Sequence, residues 1–458
     1  MSTIGASTPA LTPRVARRSR RLGGIAVLTI VVVGFAVGRF VLYRPPADPA
    51  EITRVAVRPV EELARLKRAV ERSPQDPSAL NALAVAYITT AIQLEDTTYF
   101  GPAEALLDRI DEIAPDLDRT LIARGVLALS RHQFALALDH GTRVHDRNAA
   151  QPDALAVMVD ATVELGRYEQ AGLLLQELLD RHPGLPGYSR ASYLRELHGD
   201  DSGAVVAMRE AAVAGGGTRY ELARVGTFVG DLALKRGDLA TADAEYARAL
   251  ARRPGLVFAE YGRARVLAAR GQYDAAIDVL AKTLKRSKLP AAIALLGDLQ
   301  LLVGRGADAE RSYALVREAY RSAERSGEVT DLEVAVFESD HASDPATAAT
   351  AVERARRAFE ARPGSIHTAD AMGWTLIRAG DPIAARPFVD LALRLGTSDA
   401  LLHYHAAVVL DGNGESQAAR AELSRAFEQN PYFTFLHRSE SIALAARLGV
   451  ATPPAWSP

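Results

Sequence analysis

A repeated spacing of alanine constrains the fold of this chain more than any other feature of its sequence. Ala242 and Ala276 are 34 residues apart, and the same interval separates Ala351 from Ala385 and Ala385 from Ala419. A glycine stands five residues before such an alanine at Gly166, Gly237, Gly271, Gly380 and Gly414. Small alanine lets two helices approach closely, and glycine ends a helix in a left-handed turn. This period in a chain rich in alanine and leucine therefore predicts a solenoid built from helix pairs.

The segments that carry the period resemble the tetratricopeptide repeat family. The clearest copies are GRYEQAGLLLQELLDRHP (166–183), GDLATADAEYARALARRP (237–254), GQYDAAIDVLAKTL (271–284) and GNGESQAARAELSRAFEQNP (412–431). The resemblance implies an all-α solenoid of antiparallel helix pairs, with nine or ten repeats over residues 59–437. Residues 438–458 are expected to form a capping helix followed by a disordered tail, because an array of this kind needs a closing helix with one polar face.

An apolar run near the amino terminus predicts a membrane anchor. The segment LGGIAVLTIVVVGFAVGRFVLY (22–43) is long enough to cross a bilayer as a helix, and five arginines precede it within residues 1–21. The distribution of arginines places that basic tail in the cytoplasm and the repeat array on the other side of the membrane. The proline-rich residues 44–58 then form a short, stiff spacer. The chain is therefore expected to be a single-pass inner-membrane protein with an extracytoplasmic array.

Two other interpretations of this run are less favoured. A cleaved signal peptide would have a shorter apolar core and a small-x-small cleavage site, whereas RPPADPA follows the run here. A buried helix of a globular domain would show a polar stripe, whereas valine and isoleucine lie on every face of this segment. An uncleaved anchor explains both the length of the run and its uniform apolarity.

Charge and composition exclude several classes of function. Nine of the 54 basic residues and two of the 56 acidic residues lie in positions 1–58, so that segment has a net charge of +7 and the remainder a net charge of −9. A mildly acidic body disfavours a nucleic-acid surface. The absence of cysteine excludes disulfides, thiol nucleophiles and zinc thiolates. No phosphate loop, zinc-protease motif or nucleophile elbow is found, so no cofactor, metal, small-molecule substrate or catalysis is expected.

The resemblance implies a concave groove lined by the first helix of each repeat. His367, Asp370, Trp374 and Arg378 share one predicted helix face. The other candidates for partner binding are Tyr261 and Arg265, on an earlier helix, and Tyr404, on the neighbouring one. Aromatic and arginine side chains of this kind dominate binding energy at interfaces. Packing of Trp374, or of Tyr261, in the core between helices is the alternative interpretation.

These features favour a membrane-anchored scaffold that binds a protein or peptide partner in its concave groove, in a bacterial cell envelope. A non-catalytic subunit of a larger membrane complex for export, secretion or maturation is the alternative. A third hypothesis is an enzyme whose acids and histidine lie in the irregular stretch around Glu333, Glu338, Asp340 and His341. The residues leave the partner and the oligomeric state open.

Overall fold

The computed structural model describes residues 59–214, 217–341 and 344–456, together with the residue pairs 31–32 and 40–41. Those two pairs form a short antiparallel ladder of β1 (Val31–Val32) and β2 (Phe40–Val41). The rest of the predicted membrane segment, the basic tail and the proline-rich spacer lie outside the described residues. Among the helices that are described, none combines the length and the apolarity needed to cross a bilayer.

The described body is helical and consists of ten helix pairs between two flanking helices, α1 (Pro59–Arg72) and α22 (Arg438–Leu448). The pairs are α2 (Pro77–Leu94) with α3 (Phe100–Ile113), α4 (Asp118–Ser130) with α5 (Phe134–Arg147), α6 (Pro152–Glu164) with α7 (Tyr168–Arg181), α8 (Leu185–Leu197) with α9 (Asp201–Val213), α10 (Arg219–Lys235) with α11 (Leu239–Arg252), α12 (Val257–Ala269) with α13 (Tyr273–Thr283), α14 (Pro290–Leu302) with α15 (Gly306–Arg325), α16 (Asp331–His341) with α17 (Pro345–Ala361), α18 (Ile366–Arg378) with α19 (Pro382–Leu393), and α20 (Ala400–Gly412) with α21 (Ser416–Gln429). Two 3₁₀ turns complete the elements, Thr97–Tyr99 and Pro454–Trp456. The predicted all-α solenoid of helix pairs is confirmed.

The periodic alanines lie where two helices of a pair meet. Each of the ten second helices has one near its start, and none of these is more than 1% exposed: Ala103, Ala137, Ala171, Ala204, Ala242, Ala276, Ala309, Ala351, Ala385 and Ala419. A larger side chain would push the partner helix away, because packed interiors have few voids. The alanine period therefore records the contact between the two helices of each pair.

Local sequence signals set where the helices begin. Six of them follow an aspartate whose carboxylate accepts a hydrogen bond from a backbone N–H of the first turn: Asp76, Asp200, Asp238, Asp344, Asp381 and Asp399. Helix α10 has a capping box instead, in which Thr218 and Glu221 each accept a hydrogen bond from the backbone of the other. Such caps satisfy N–H groups that have no partner inside the helix.

The array winds into a superhelix whose second turn contacts its first. The turn between α4 and α5 meets the loop that follows α15. In the same way, the turns within the next three pairs, α6–α7, α8–α9 and α10–α11, meet the loops that follow α17, α19 and α21. The contacting residues are 194 to 198 apart along the chain in the hydrogen bonds from Gln133 to the Gly327 carbonyl, from Ile366 N–H to the Tyr168 hydroxyl, and from Ser398 to Asp201. We call this line of contacts the seam. It turns an open solenoid into a closed superhelix with a central channel.

The seam is tightest at Gly166, the turn glycine of α6 and α7. Its φ is 72°, in the left-handed region, and a Cβ added to it would lie 1.9 Å from the carbonyl carbon of Gly364. Arg394 donates hydrogen bonds to the carbonyl oxygens of both glycines. No side chain fits between these two backbones, so the close approach of the two turns requires glycine here.

The carboxyl-terminal residues pack back onto the last pair. Trp456 is 6% exposed, and its ring centroid lies 5.1 Å from that of Phe427 and 5.8 Å from that of Phe433. The indole of Trp456 thus packs against α21. That the rest of the tail is disordered stays a prediction.

Candidate functional site

The first helices of the pairs surround a central channel of about 790 Å³. Its walls come from α2, α4, α8, α10, α12, α14, α16, α18 and α20, with the end of α15 and the segment 430–437. A cleft of this size is in the range of cavities that hold a ligand. The strands β1 and β2 contact the same set of first helices, namely α2, α4 and α8.

Four of the seven residues that the sequence singled out line this channel: Tyr261, Arg265, His367 and Asp370. The Arg265 guanidinium lies 5.6 Å from the centroid of the Tyr261 ring and 3.9 Å from the Asp231 carboxylate. Burial lowers the pKa of His367, which outweighs the opposing effect of Asp399 and Asp370. This histidine is therefore neutral at pH 7 and can donate or accept a hydrogen bond.

The other three candidates lie elsewhere. Trp374 is 0% and Tyr404 1% exposed, and both belong to the core of the last pairs. Arg378 stands over the Trp374 ring at 5.4 Å and pairs with Glu440 at 3.0 Å. The reason is the segment that begins the closing helix α22, where His437 lies 5.2 Å from the Trp374 ring and Glu440 pairs with Arg378. The face that begins at His367 in the channel therefore continues into the core.

A chain of hydrogen bonds connects the buried Trp374 to the channel wall. Its indole N–H donates to Asp340 Oδ1 at 2.7 Å, and its ring stacks on His405 at 3.9 Å. Asp340 also bonds His437 Nε2 at 3.0 Å, and His405 Nδ1 bonds Asp370 at 3.0 Å. Asp340, His405, His437 and Asp370 all line the channel. The tryptophan thus supports the wall from behind.

The free energy of unfolding should depend on pH because of His437. Burial acts to lower the pKa of His437, but hydrogen bonds to Asp340 and Glu440 outweigh it and raise the pKa to about 9. The hydrogen bond from His437 and the charge of Arg378 hold the pKa of Glu440 at about 2. A histidine whose pKa is higher in the folded than in the unfolded state stabilises the folded protein. This contribution is complete below the unfolded-state pKa of ~6.5 and is lost as the pH rises through the folded-state pKa.

We expect the wild type to lose roughly 2–3 kcal/mol of this contribution between about pH 6.5 and pH 9. Thermal unfolding across this range, compared with a His437→Asn variant, measures it, because the variant should show a shallower slope. Parallel slopes for wild type and His437→Asn would show that His437 has no such pairing.

A group of carboxylates lies at the seam, on the channel side. Glu328 and Glu333 lie 3.9 and 3.6 Å from His132 Nδ1, which itself bonds the Val329 carbonyl at 2.9 Å. Burial raises the pKa of Glu328 to about 7, against the opposing effect of His132, and Glu333 adds to the increase. Burial also raises the pKa of Glu95 well above its usual value. We call Glu328 and Glu333, together with Glu95 at the end of α2 in the adjoining first pair, the seam carboxylates.

Two of the seam residues occupy positions that other pairs fill with glycine. His132 has a φ of 58° and Glu95 a φ of 54°, both in the left-handed region. The equivalent turn residue is a glycine with positive φ in most later pairs, as at Gly166 and Gly237. A left-handed conformation costs a non-glycine residue about 1 kcal/mol or more. Two side chains are thus directed to this part of the channel at an energetic cost.

The acids and the histidine of the enzyme hypothesis all lie on α16, and each has a different partner. Glu338 binds Arg317 through two hydrogen bonds of 2.9 Å. His341 Nε2 contacts Asp298 Oδ1 at 2.9 Å, and Asp340 is engaged by Trp374 and His437. Within the described part of the chain, no three histidine or acidic residues are placed to hold a metal ion.

Most channel residues were not found by sequence reasoning. Asp298 and Asp399 line the channel, as do Glu196 and Lys235, yet none of them belongs to a motif. Their positions follow from the curvature of the array, which brings distant first helices to one axis. The only signal in the sequence that could have identified them is their place within, or at one end of, a first helix. Many residues that do not line the channel share this place.

Comparison with known proteins finds similarity to solved helical repeat structures only. No protein-family model matches the sequence, and no curated protein matches it. A tetratricopeptide repeat protein of Thermus thermophilus is 21% identical over 37% of this chain and 90% of its own, with a TM-score of 0.33. One from Parabacteroides merdae is 15% identical over 52% and 97%, with a TM-score of 0.38. The human IFIT1 dimer with m7Gppp-AAAA is 13% identical over 81% and 86%, with a TM-score of 0.45.

Proposed function

We propose that the chain is a scaffold that holds an extended segment of a partner protein in its central channel. The observation that carries the proposal is the channel itself, whose walls are made by nine first helices and combine aromatic, acidic and histidine side chains. Stacked helix pairs hold such a surface open before the partner arrives, which lowers the entropic cost of binding. The seam adds to this rigidity because it joins one turn of the array to the next.

The proposal includes membrane attachment through residues 22–43 in the inner membrane of a bacterial cell envelope, with the amino terminus cytoplasmic and the array extracytoplasmic. It is supported by the length of the apolar run and by the five arginines that precede it. Membrane insertion requires residues 31–32 and 40–41 to leave the antiparallel ladder that contacts α2, α4 and α8. Attachment would raise the effective concentration of the array for partners in or near the same membrane.

Co-purification tests the scaffold function. The chain is extracted from membranes in mild detergent, and the proteins bound to it are identified by mass spectrometry. A Tyr261→Ala/His367→Ala variant truncates two channel side chains and should lose a specific partner. Leu173→Ala/Ile383→Ala is the matched control, because these side chains are 75% and 80% exposed on second helices. Both variants must still unfold cooperatively.

The outcomes separate the hypotheses. Loss of one partner from the channel variant alone supports recognition in the channel. An unchanged set of partners in the channel variant contradicts it. Recovery of a stable set of membrane proteins that both variants retain would favour the alternative, a non-catalytic subunit of a larger membrane complex.

Membrane orientation can be tested because the chain contains no cysteine. Ser7→Cys and Glu353→Cys each introduce a single thiol, the first in the basic tail and the second at an exposed position of α17. In spheroplasts, a membrane-impermeant maleimide should label Glu353→Cys directly and Ser7→Cys only after lysis. The reverse pattern would contradict the orientation, and a soluble wild-type chain would contradict the anchor.

A further inference from the structure

The charged side chains that line the channel are mostly acidic. Four are Lys or Arg: Arg224, Lys235, Arg265 and Lys288. Ten are carboxylates: Glu95, Asp96, Glu196, Asp231, Asp298, Glu328, Glu333, Asp340, Asp370 and Asp399. Five of the ten histidines in the chain also lie there: His132, His341, His367, His405 and His437. The carboxylates outnumber the lysines and arginines ten to four, and the ratio is still eight to four when Glu95 and Glu328, whose pKa values are raised, are protonated.

Most of these carboxylates already have partners within the wall. Asp298, Asp340 and Asp370 each bond a histidine at 2.9 to 3.0 Å. Asp231 accepts a hydrogen bond from Tyr246 and lies 3.9 Å from Arg265. Lys235 lies 3.5 Å from Glu196 and 4.0 Å from Asp399. These contacts neutralise the middle of the channel.

The seam carboxylates are different because the wall gives them few hydrogen-bond donors, although the positive charge of Arg224 acts on Glu95. Both oxygens of Glu333 and Oε1 of Glu95 are buried and accept no hydrogen bond. The side chains of Glu328 and Glu333 are only 18% and 14% exposed, and the single His132 lies near both. A buried carboxylate without donors is costly, so a ligand that brings N–H donors and positive charge would relieve this cost.

The channel also contains the aromatic surface that recognises cations. The Arg224 guanidinium lies between two rings, 4.5 Å from the centroid of Phe228 and 4.2 Å from that of Phe258. Tyr193, Tyr320, Phe337, Tyr432 and Phe435 line the same space. Guanidinium and ammonium groups bind favourably over such faces. Phosphodiester or carboxylate ligands would instead be repelled by the excess of acids.

We propose that the segment bound in the channel is rich in arginine and lysine, and that its cationic groups pair with Glu95, Glu328 and Glu333 at the seam. This inference rests on the proposed function, since it assigns the chemistry of the partner that the scaffold holds. Charge complementarity selects the partner, and the aromatic wall accommodates the stems of its long side chains.

Short fluorescent peptides test the proposal on the full chain in detergent. Peptides alternate glycine with Arg, Lys, Glu or Ser, and their affinities are measured by anisotropy. The affinity for the Arg and Lys peptides should be at least about tenfold higher than that for the Glu and Ser peptides, and it should fall as the salt concentration increases. The Glu328→Gln/Glu333→Gln variant should bind the Arg and Lys peptides at least about tenfold more weakly than the wild type does.

Controls distinguish recognition from general attraction and from misfolding. Glu353→Gln/Glu360→Gln removes two exposed carboxylates of α17 and should bind the peptides as the wild type does. The Glu328→Gln/Glu333→Gln variant should melt no lower than the wild type at about pH 8, because burial raises the pKa of Glu328 and its ionisation therefore opposes folding. An equal loss of affinity in both variants would overturn the seam assignment.

The remaining outcomes are also decisive. Equal binding of the Glu or Ser peptide would overturn the cationic assignment and leave the scaffold function standing. If a membrane partner is lost from the Tyr261→Ala/His367→Ala variant but the wild type binds none of the peptides, the cationic assignment is likewise overturned and the scaffold function stands. If there is neither such a partner nor any peptide binding, the proposed function itself is contradicted. Tighter binding of the Arg peptide after the arginines at 14, 17, 18, 20 and 21 are changed to serine would show that this chain's own basic tail occupies the channel, which overturns the assignment to a partner.

Discussion

Gly166→Ala should destabilise the array by roughly 2–5 kcal/mol, far more than an alanine at most other turn glycines. An alanine in the left-handed region costs about 1–2 kcal/mol by itself. Here its Cβ would also lie 1.9 Å from the carbonyl carbon of Gly364, so the two turns must separate, at a cost like that of overpacking a core. Separation would weaken the hydrogen bonds of Arg394 and Tyr168 across the seam. Urea unfolding followed by circular dichroism measures the loss.

Gly271→Ala is the matched control for this prediction. Gly271 has a φ of 74°, close to the 72° of Gly166, but nothing lies within 4 Å of an added Cβ. Its variant should therefore lose only the conformational cost of about 1–2 kcal/mol. The difference between the two variants in the free energy of unfolding measures the contribution of the contact across the seam. Equal losses would mean that the turns do not touch in solution and that the channel is open along its side.

The helix pairs could be predicted from the sequence because their cause is local. An alanine such as Ala242 and a glycine such as Gly237 act within one pair, at short separations, and the same contact recurs in each repeat. A regular residue pattern therefore marks each pair. Even where the period stretches, as in the long α15, the buried alanine near the start of the second helix is retained at Ala309.

The seam could not be predicted because its cause is not local. Contacts such as that of His132 with Val329 join residues 197 apart. They depend on a small rotation at every interface between pairs, which accumulates over five pairs and leaves no residue pattern of its own. The turn glycines were recognised as helix terminators, but one of them, Gly166, is also required by a neighbour in the next turn.

The same limit explains the partly successful prediction of the channel. Tyr261 and His367 were placed on first helices by the repeat register, and the structure puts both on the channel wall. Trp374 lies on the same helix face as His367 but is covered by His437, immediately before α22. A register assigns a face, whereas the depth of each residue depends on what covers the end of its helix. Only the tertiary arrangement of the closing helix decides between groove and core.

Trp374→Ala is expected to destabilise the last three helix pairs by about 3–5 kcal/mol, the usual cost of truncating a large buried aromatic side chain. The indole is 0% exposed, stacks on His405 at 3.9 Å and donates a hydrogen bond to Asp340. Its loss would leave a cavity and remove one of the two donors that hold Asp340 in the channel wall. Trp374→Phe keeps much of the ring but not the N–H, so it should cost about 1–2 kcal/mol.

Thermal and urea unfolding of these variants decides whether Trp374 is core. Ile383→Ala removes an apolar side chain that is 80% exposed and should change stability by no more than about 0.5 kcal/mol. Trp456 is the only other tryptophan, so a Trp456→Phe background makes fluorescence report Trp374 alone. A Trp374→Ala variant as stable as the wild type, with solvent-exposed emission from Trp374 in that background, would place the indole on an open groove. Because the channel wall depends on Asp340, a destabilised Trp374→Ala variant should also lose partners without contacting them, so binding assays should vary Tyr261 and His367 and leave Trp374 in place.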